Sequence, residues 1–121
     1  MSAALVWVGM GLLGGAGACA RFMLGTAVSR RAPGDFPWGT FAVNVLGCLA
    51  LGVLAGRHVA GDALLLAGTA TLGAFTTFST WMLEAHRLIE AHRARTGGAY
   101  LAASLVVGAV AFVAGRAAGG W

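Results

Sequence analysis

Residues 73–81 read GAFTTFSTW. A glycine opens the stretch, and four hydroxyl side chains, Thr76, Thr77, Ser79 and Thr80, stand among Phe75, Phe78 and Trp81. The chain around it is apolar. Counted from Thr69, the segment holds six hydroxyls. One or two Ser or Thr residues in a membrane helix bond back to a carbonyl one turn earlier and carry no message. A cluster of this density beside Gly73 predicts a break in the helix, because hydroxyls and tightly packed neighbours re-satisfy backbone groups where a helix is interrupted. Broken helices within a membrane expose carbonyl oxygens, which coordinate cations, and N–H groups, which attract anions.

The composition agrees with a membrane setting. Of 121 residues, 59% are hydrophobic and only 10% charged, and the mean hydropathy is +0.82. A soluble domain carries about 25% charged residues. Four apolar runs, at about 4–28, 38–56, 63–86 and 99–119, are long enough to cross a bilayer core, which takes about 20 helical residues. The separators are short and punctuated by Pro33, Pro37 and Gly61, so a single transmembrane domain over residues 1–121 is expected. The first apolar run has no basic segment before it and is too long for the core of a cleavable signal peptide. Cys19 and Cys48 lie inside apolar runs, which argues for packing rather than for a disulfide framework or a zinc site. The net charge is +4 and every basic residue is arginine. These arginines flank apolar runs as membrane-loop charges do, and no basic run with interleaved aromatics points to nucleic acid.

Small-residue pairs at helical spacing, Gly11 and Gly15, Gly52 and Gly56, Ala111 and Gly115, predict close helix–helix contacts. Several polar groups stand inside or at the ends of the spans. Asn44 reads either as an interhelical clamp or as an N–H donor facing an ion. Arg21 either snorkels to the interface or faces a vestibule that gathers anions. Tyr100 and Ser104 are four apart and share a face. Glu84 has Arg87 or a nearby histidine as prospective partners. His58, His86 and His92 lack metal-ligand spacing. No catalytic triad, carboxylate pair or phosphate loop is present, so no enzyme is expected. Four spans this short enclose a water-filled path poorly, which favours an oligomer.

Three segments carry a family resemblance: GGAGACARF at 14–22, WGTFAVNVLG at 38–47 and GAFTTFSTW at 73–81. Together they resemble the three motifs of the CrcB/Fluc family of fluoride channels, over the whole chain and in the same order. The resemblance implies an all-α membrane protein of four transmembrane helices, the third broken at mid-membrane, paired as an antiparallel, dual-topology dimer in the bacterial inner membrane. It implies a passive fluoride-selective channel that exports cytoplasmic fluoride and so lowers its toxicity. It further implies a structural Na⁺ at the dimer centre, held by the backbone carbonyls of Gly73 and Thr76. By the same resemblance Asn44, Phe78 and Trp81 line the fluoride path, Thr77, Ser79, Tyr100 and Ser104 belong to its polar track, and Arg21 to its vestibule. The partner is either a second copy of this chain or an oppositely oriented homologous subunit. Two positions depart from the pattern. Trp81 stands where the motif usually has Phe, and Gly108 stands where members often carry a hydroxyl.

Two other readings fit four short spans. A small multidrug-type exporter needs an acidic residue in its first helix for proton coupling, and residues 1–34 contain neither Asp nor Glu. A non-transporting assembly subunit has no need of the hydroxyl cluster in span three.

Overall fold

The computed structural model describes residues 1–121 and is helical throughout. Helix α1 spans Ala3–Arg31, its start capped by the Ser2 hydroxyl, which accepts from the Leu5 N–H at 3.3 Å. It runs past the apolar segment through Arg30 and Arg31, whose cations suit a helix C-terminus. Pro33 then follows. Helix α2 spans Trp38–Gly56 and starts directly after Pro37. The third crossing, Gly61–Glu90, has two parts. Helix α3 covers residues 61–75, of which Leu64–Leu72 are π-helical. Helix α4 covers Ser79–Glu90. Helix α5 spans Ala94–Gly119 and closes on Gly120, whose φ of 116° is left-handed and available to glycine. It begins well before the apolar run at 99 because Arg95 and Thr96 build its first turn. A helix is set by backbone bonding, not by where hydropathy rises.

Four helical segments are long and apolar enough to cross a membrane. The packing confirms the setting. Only 14 of 121 residues are buried, none of them polar or charged, while Trp7, Leu12 and Phe22 are each more than 70% exposed. An apolar exterior over a thin interior is the reverse of a soluble protein. The chain is a multi-pass membrane protein.

Helices α2 and α5 pack backbone to backbone. A Cβ on Gly52 or Gly56 would meet the carbonyls of Phe112 and Arg116, and one on Gly115 or Gly119 those of Leu49 and Val53. This bears out Gly52, Gly56 and Gly115 as contact positions. Within the single chain Gly11 and Gly15 make no such contact, for the space beyond each is open. The contact face of α1 is set instead by Gly17, which abuts the Thr71 carbonyl. Gly15 lies about 200° around the helix from it.

Two ion pairs show which ends lie together. Arg93 reaches Asp35 at 2.6 Å, joining the first loop to the third. The N-terminal amine lies 3.9 Å from Asp62, joining the N-terminus to the start of α3. Four crossings therefore leave the N-terminus, second loop and C-terminus on one side, with the first and third loops on the other.

Candidate functional site

The third crossing loses its helical bonding at Thr76–Phe78. Gly73 itself stays helical, with φ −60° and ψ −39°. The chain turns out at Thr76, which is extended at φ −91° and ψ 164°. The glycine thus marks the neighbourhood of the interruption, and the threonine makes it. Thr76 commits both its N–H and its hydroxyl to the Leu72 carbonyl, each at 3.0 Å, which closes α3. The N–H of Thr77, which a continuing α-helix would direct at the Gly73 carbonyl, donates instead to Asn44 Oδ1 at 2.8 Å. Asn44 Nδ2 in turn donates to the Thr77 carbonyl at 2.9 Å. The Thr77 hydroxyl then accepts from the Thr80 N–H at 3.3 Å, starting α4. Neither the Thr76 carbonyl nor the Phe78 N–H has a hydrogen-bond partner within the chain.

Asn44 is therefore a clamp, and the amide geometry does it well. A side-chain amide presents one donor and one acceptor side by side, as a neighbouring backbone would, and it replaces the bonds that the third crossing gives up. One of its two N–H groups remains free for another acceptor. Gly47 is the supporting residue that sequence reading missed. A Cβ there would run into Thr76 Cγ2, so only glycine lets the turn lie against α2. The signal was present as the i+3 neighbour of Asn44 on one helical face, but its target across the fold was not.

A cavity of about 370 Å³ lies against this turn, lined among others by Asn44, Gly73, Thr76, Thr77, Phe78, Trp81 and Ser104. The Phe78 and Trp81 rings meet edge to face, with centroids 5.6 Å apart. Phe75 is separated from them and lines a different cavity beside α1, because the turn at Thr76 ends the i, i+3 spacing on which a shared stripe depended. Two buried polar atoms in the cavity wall, Trp81 Nε1 and Ser104 Oγ, have no partner. Such a group costs about 1–3 kcal/mol when left unpaired.

A second cavity, of about 530 Å³, is lined by Arg21, Thr26, Ser29, Thr40, Thr77 and Thr80 among others. Arg21 sits in its wall with Nε buried and unpartnered. Thr77 lines both cavities. Two candidate residues stand elsewhere. Ser79 is exposed on the single chain and lines neither cavity. Tyr100 is fully buried, its hydroxyl donating to Glu84 Oε1 at 3.3 Å and its ring meeting Phe36 edge-on at 5.4 Å. Glu84 is thus held by Tyr100 rather than by Arg87 or a histidine, and His86 pairs with Glu90 at 2.6 Å. Tyr100 and Ser104 occupy one face of α5 but different surroundings.

No cluster of His, Cys, Asp or Glu suited to a metal exists. Fold and site together define a four-crossing membrane protein with a mostly apolar, uncharged cavity at an interrupted third helix. The family model described as CrcB-like protein, Camphor Resistance (CrcB), matches residues 8–116, and the chain belongs to that family. It is 47% identical over 116 residues to "Fluoride-specific ion channel FluC 2" of Mycolicibacterium paratuberculosis, covering 96% of this chain and 95% of that one. It is 45% identical to the FluC 2 of Mycobacterium tuberculosis, over 92% of this chain and 88% of that one. It is also 45% identical to "Fluoride-specific ion channel FluC 1" of Rubrobacter xylanophilus, over 88% and 87%.

Proposed function

We propose that this chain is a subunit of a passive, fluoride-selective channel that releases cytoplasmic fluoride across the bacterial inner membrane. The observation that carries the reading is 47% identity over nearly the whole of both chains to a fluoride-specific channel. The site suits the task. Fluoride enters acid-stressed cells as neutral HF, ionises and is trapped, and a negative-inside potential drives the anion out through any open path. Arg21 gathers anions at one cavity, and Thr77 leads to the next. There a dehydrated fluoride meets the free Asn44 N–H, hydroxyls and the positive edge of the Phe78 ring. Narrow spacing of such donors excludes larger halides.

The turn at Thr76–Phe78 lies at mid-membrane in this reading, and two chains meet there as an antiparallel dimer. A Na⁺ at the centre fits the donors present. Thr76 has a carbonyl without a partner, Gly73 has one released from the Thr77 N–H, and a hard cation takes oxygen ligands. Two oxygens are too few for one ion, and two copies supply four. Bound there, the ion would tie the two turns together. The occurrence of FluC 1 and FluC 2 names among the relatives accords with pairing to a homologous subunit as well as with a homodimer. Liposomes carrying the purified chain should release fluoride, and not chloride, when a K⁺ gradient with valinomycin sets the potential. No fluoride release from the chain, either alone or reconstituted with an oppositely oriented homologous subunit, would overturn the reading.

A further inference from the structure

The cavity of about 530 Å³ beside α1 carries more positive charge and more donors than a single-atom anion can use. Arg21 and Arg30 both line it together with five hydroxyl residues, and no carboxylate does. Neither arginine takes part in an ion pair or a hydrogen bond within the chain. Arg30 is exposed. Of the Arg21 guanidinium only Nε is buried and unpartnered, which leaves its two Nη groups open to a ligand. Arg30 stands in the last turn of α1, where the apolar span ends and lipid headgroups begin. Arg21 lies about two and a half turns deeper. Phe22 lines the same cavity and is 72% exposed, so apolar surface runs beside the charges.

We propose that this cavity is a phosphate-binding site whose ligand is the headgroup of an anionic phospholipid, with Arg30 pairing to the phosphate and Arg21 supplying a second positive charge below it. A guanidinium donates two parallel N–H groups to two oxygens of one phosphate, a match that a monatomic halide does not offer. Thr26 lies one turn below Arg30 on the same face of α1, and both line the cavity with Ser29, so hydroxyl donors stand close to the paired oxygens. Basic pockets between membrane helices take lipid headgroups in this way. A free phosphate ion shares the chemistry but gains nothing from the apolar surface at Phe22, whereas an acyl chain does. Binding there does not require that the chain conduct fluoride.

The test is native mass spectrometry of the full-length chain in detergent, titrated with phosphatidylglycerol and separately with inorganic phosphate. The parent should retain phosphatidylglycerol saturably, and added phosphate should compete with it. Arg30→Gln should weaken retention about tenfold, the size of one hydrogen-bonded charge contact. Arg31→Gln is the control, since Arg31 is the next residue of the same helix end but does not line the cavity, and it should bind as the parent does. Equal weakening by the two variants would mean diffuse attraction to a basic surface and would overturn the site, as would a parent that retains neither lipid nor phosphate. Saturable binding of phosphate without retention of the lipid would overturn the lipid as its ligand. Neither titration contains fluoride, so a chain that holds the lipid but releases no fluoride from liposomes overturns the channel reading alone.

Discussion

At the scale of single residues, Asn44 and Phe78 stand on the wall of one cavity. Asn44 replaces two backbone bonds of the interrupted crossing, and Phe78 presents a ring that is 71% exposed on the single chain. Phe78→Ile keeps apolar bulk but removes the positive ring edge. We expect fluoride efflux from liposomes to fall by about tenfold, with the oligomer unchanged by light scattering. Parent-level efflux would make Phe78 a packing residue only. Asn44→Asp turns a donor into an acceptor facing the Thr77 carbonyl. Loss of that hydrogen bond should cost about 1–3 kcal/mol of stability, and efflux should fall with it. A variant as stable as the parent in thermal unfolding would refute the clamp.

Among the elements, the third crossing depends on α2 for its shape. The turn at Thr76 rests on Gly47, and its backbone is satisfied by Asn44, one turn earlier on the same helix. Gly47→Val should push the turn off α2. Overpacking of this kind costs about 1–3 kcal/mol, so the midpoint of thermal unfolding in detergent should drop and efflux should fall. Gly47→Val with an unaltered midpoint and parent efflux would show that the turn does not lean on α2. The π-helical stretch Leu64–Leu72 was not expected from sequence. Its wide turns are accompanied by a bond from the Thr71 hydroxyl to the Leu66 carbonyl, five residues back, at 2.7 Å. Part of the hydroxyl cluster that predicted an interruption thus serves the helix before it.

For the molecule as a whole, the open question of charge becomes one of orientation. The Arg93–Asp35 and N-terminus–Asp62 pairs mark the two sides of the bundle. Arg30, Arg31, Arg93 and Arg95 lie toward one side, and Arg57 and Arg116 toward the other. Arginine excess marks cytoplasmic loops. We therefore expect the first and third loops in the cytoplasm and the C-terminus outside. Single cysteines, introduced on a chain without Cys19 and Cys48, test it. One at the C-terminus should label from outside intact cells, and one in the third loop should not. Equal labelling would mean that the chain inserts both ways and suffices as a homodimer. A fixed orientation would instead call for an oppositely inserted homologous partner.

The sequence alone determined that this chain lives in a membrane, how many times it crosses, and that its third crossing carries the polar site. Those properties are sums over many residues or dense local clusters, and neighbours in the chain suffice to read them. The same holds for Gly52 and Gly56, whose spacing announces a contact face whatever covers it. Tertiary structure decided the pairings. That Asn44 engages Thr77, that Gly47 makes room for Thr76, and that Tyr100 holds Glu84 are contacts across 33, 29 and 16 positions. A helix face says where a side chain can point but not what it meets. The interruption fell at Thr76 rather than Gly73 for the same reason, since only the fold brings Asn44 to the Thr77 N–H and so frees the chain to leave the helix there.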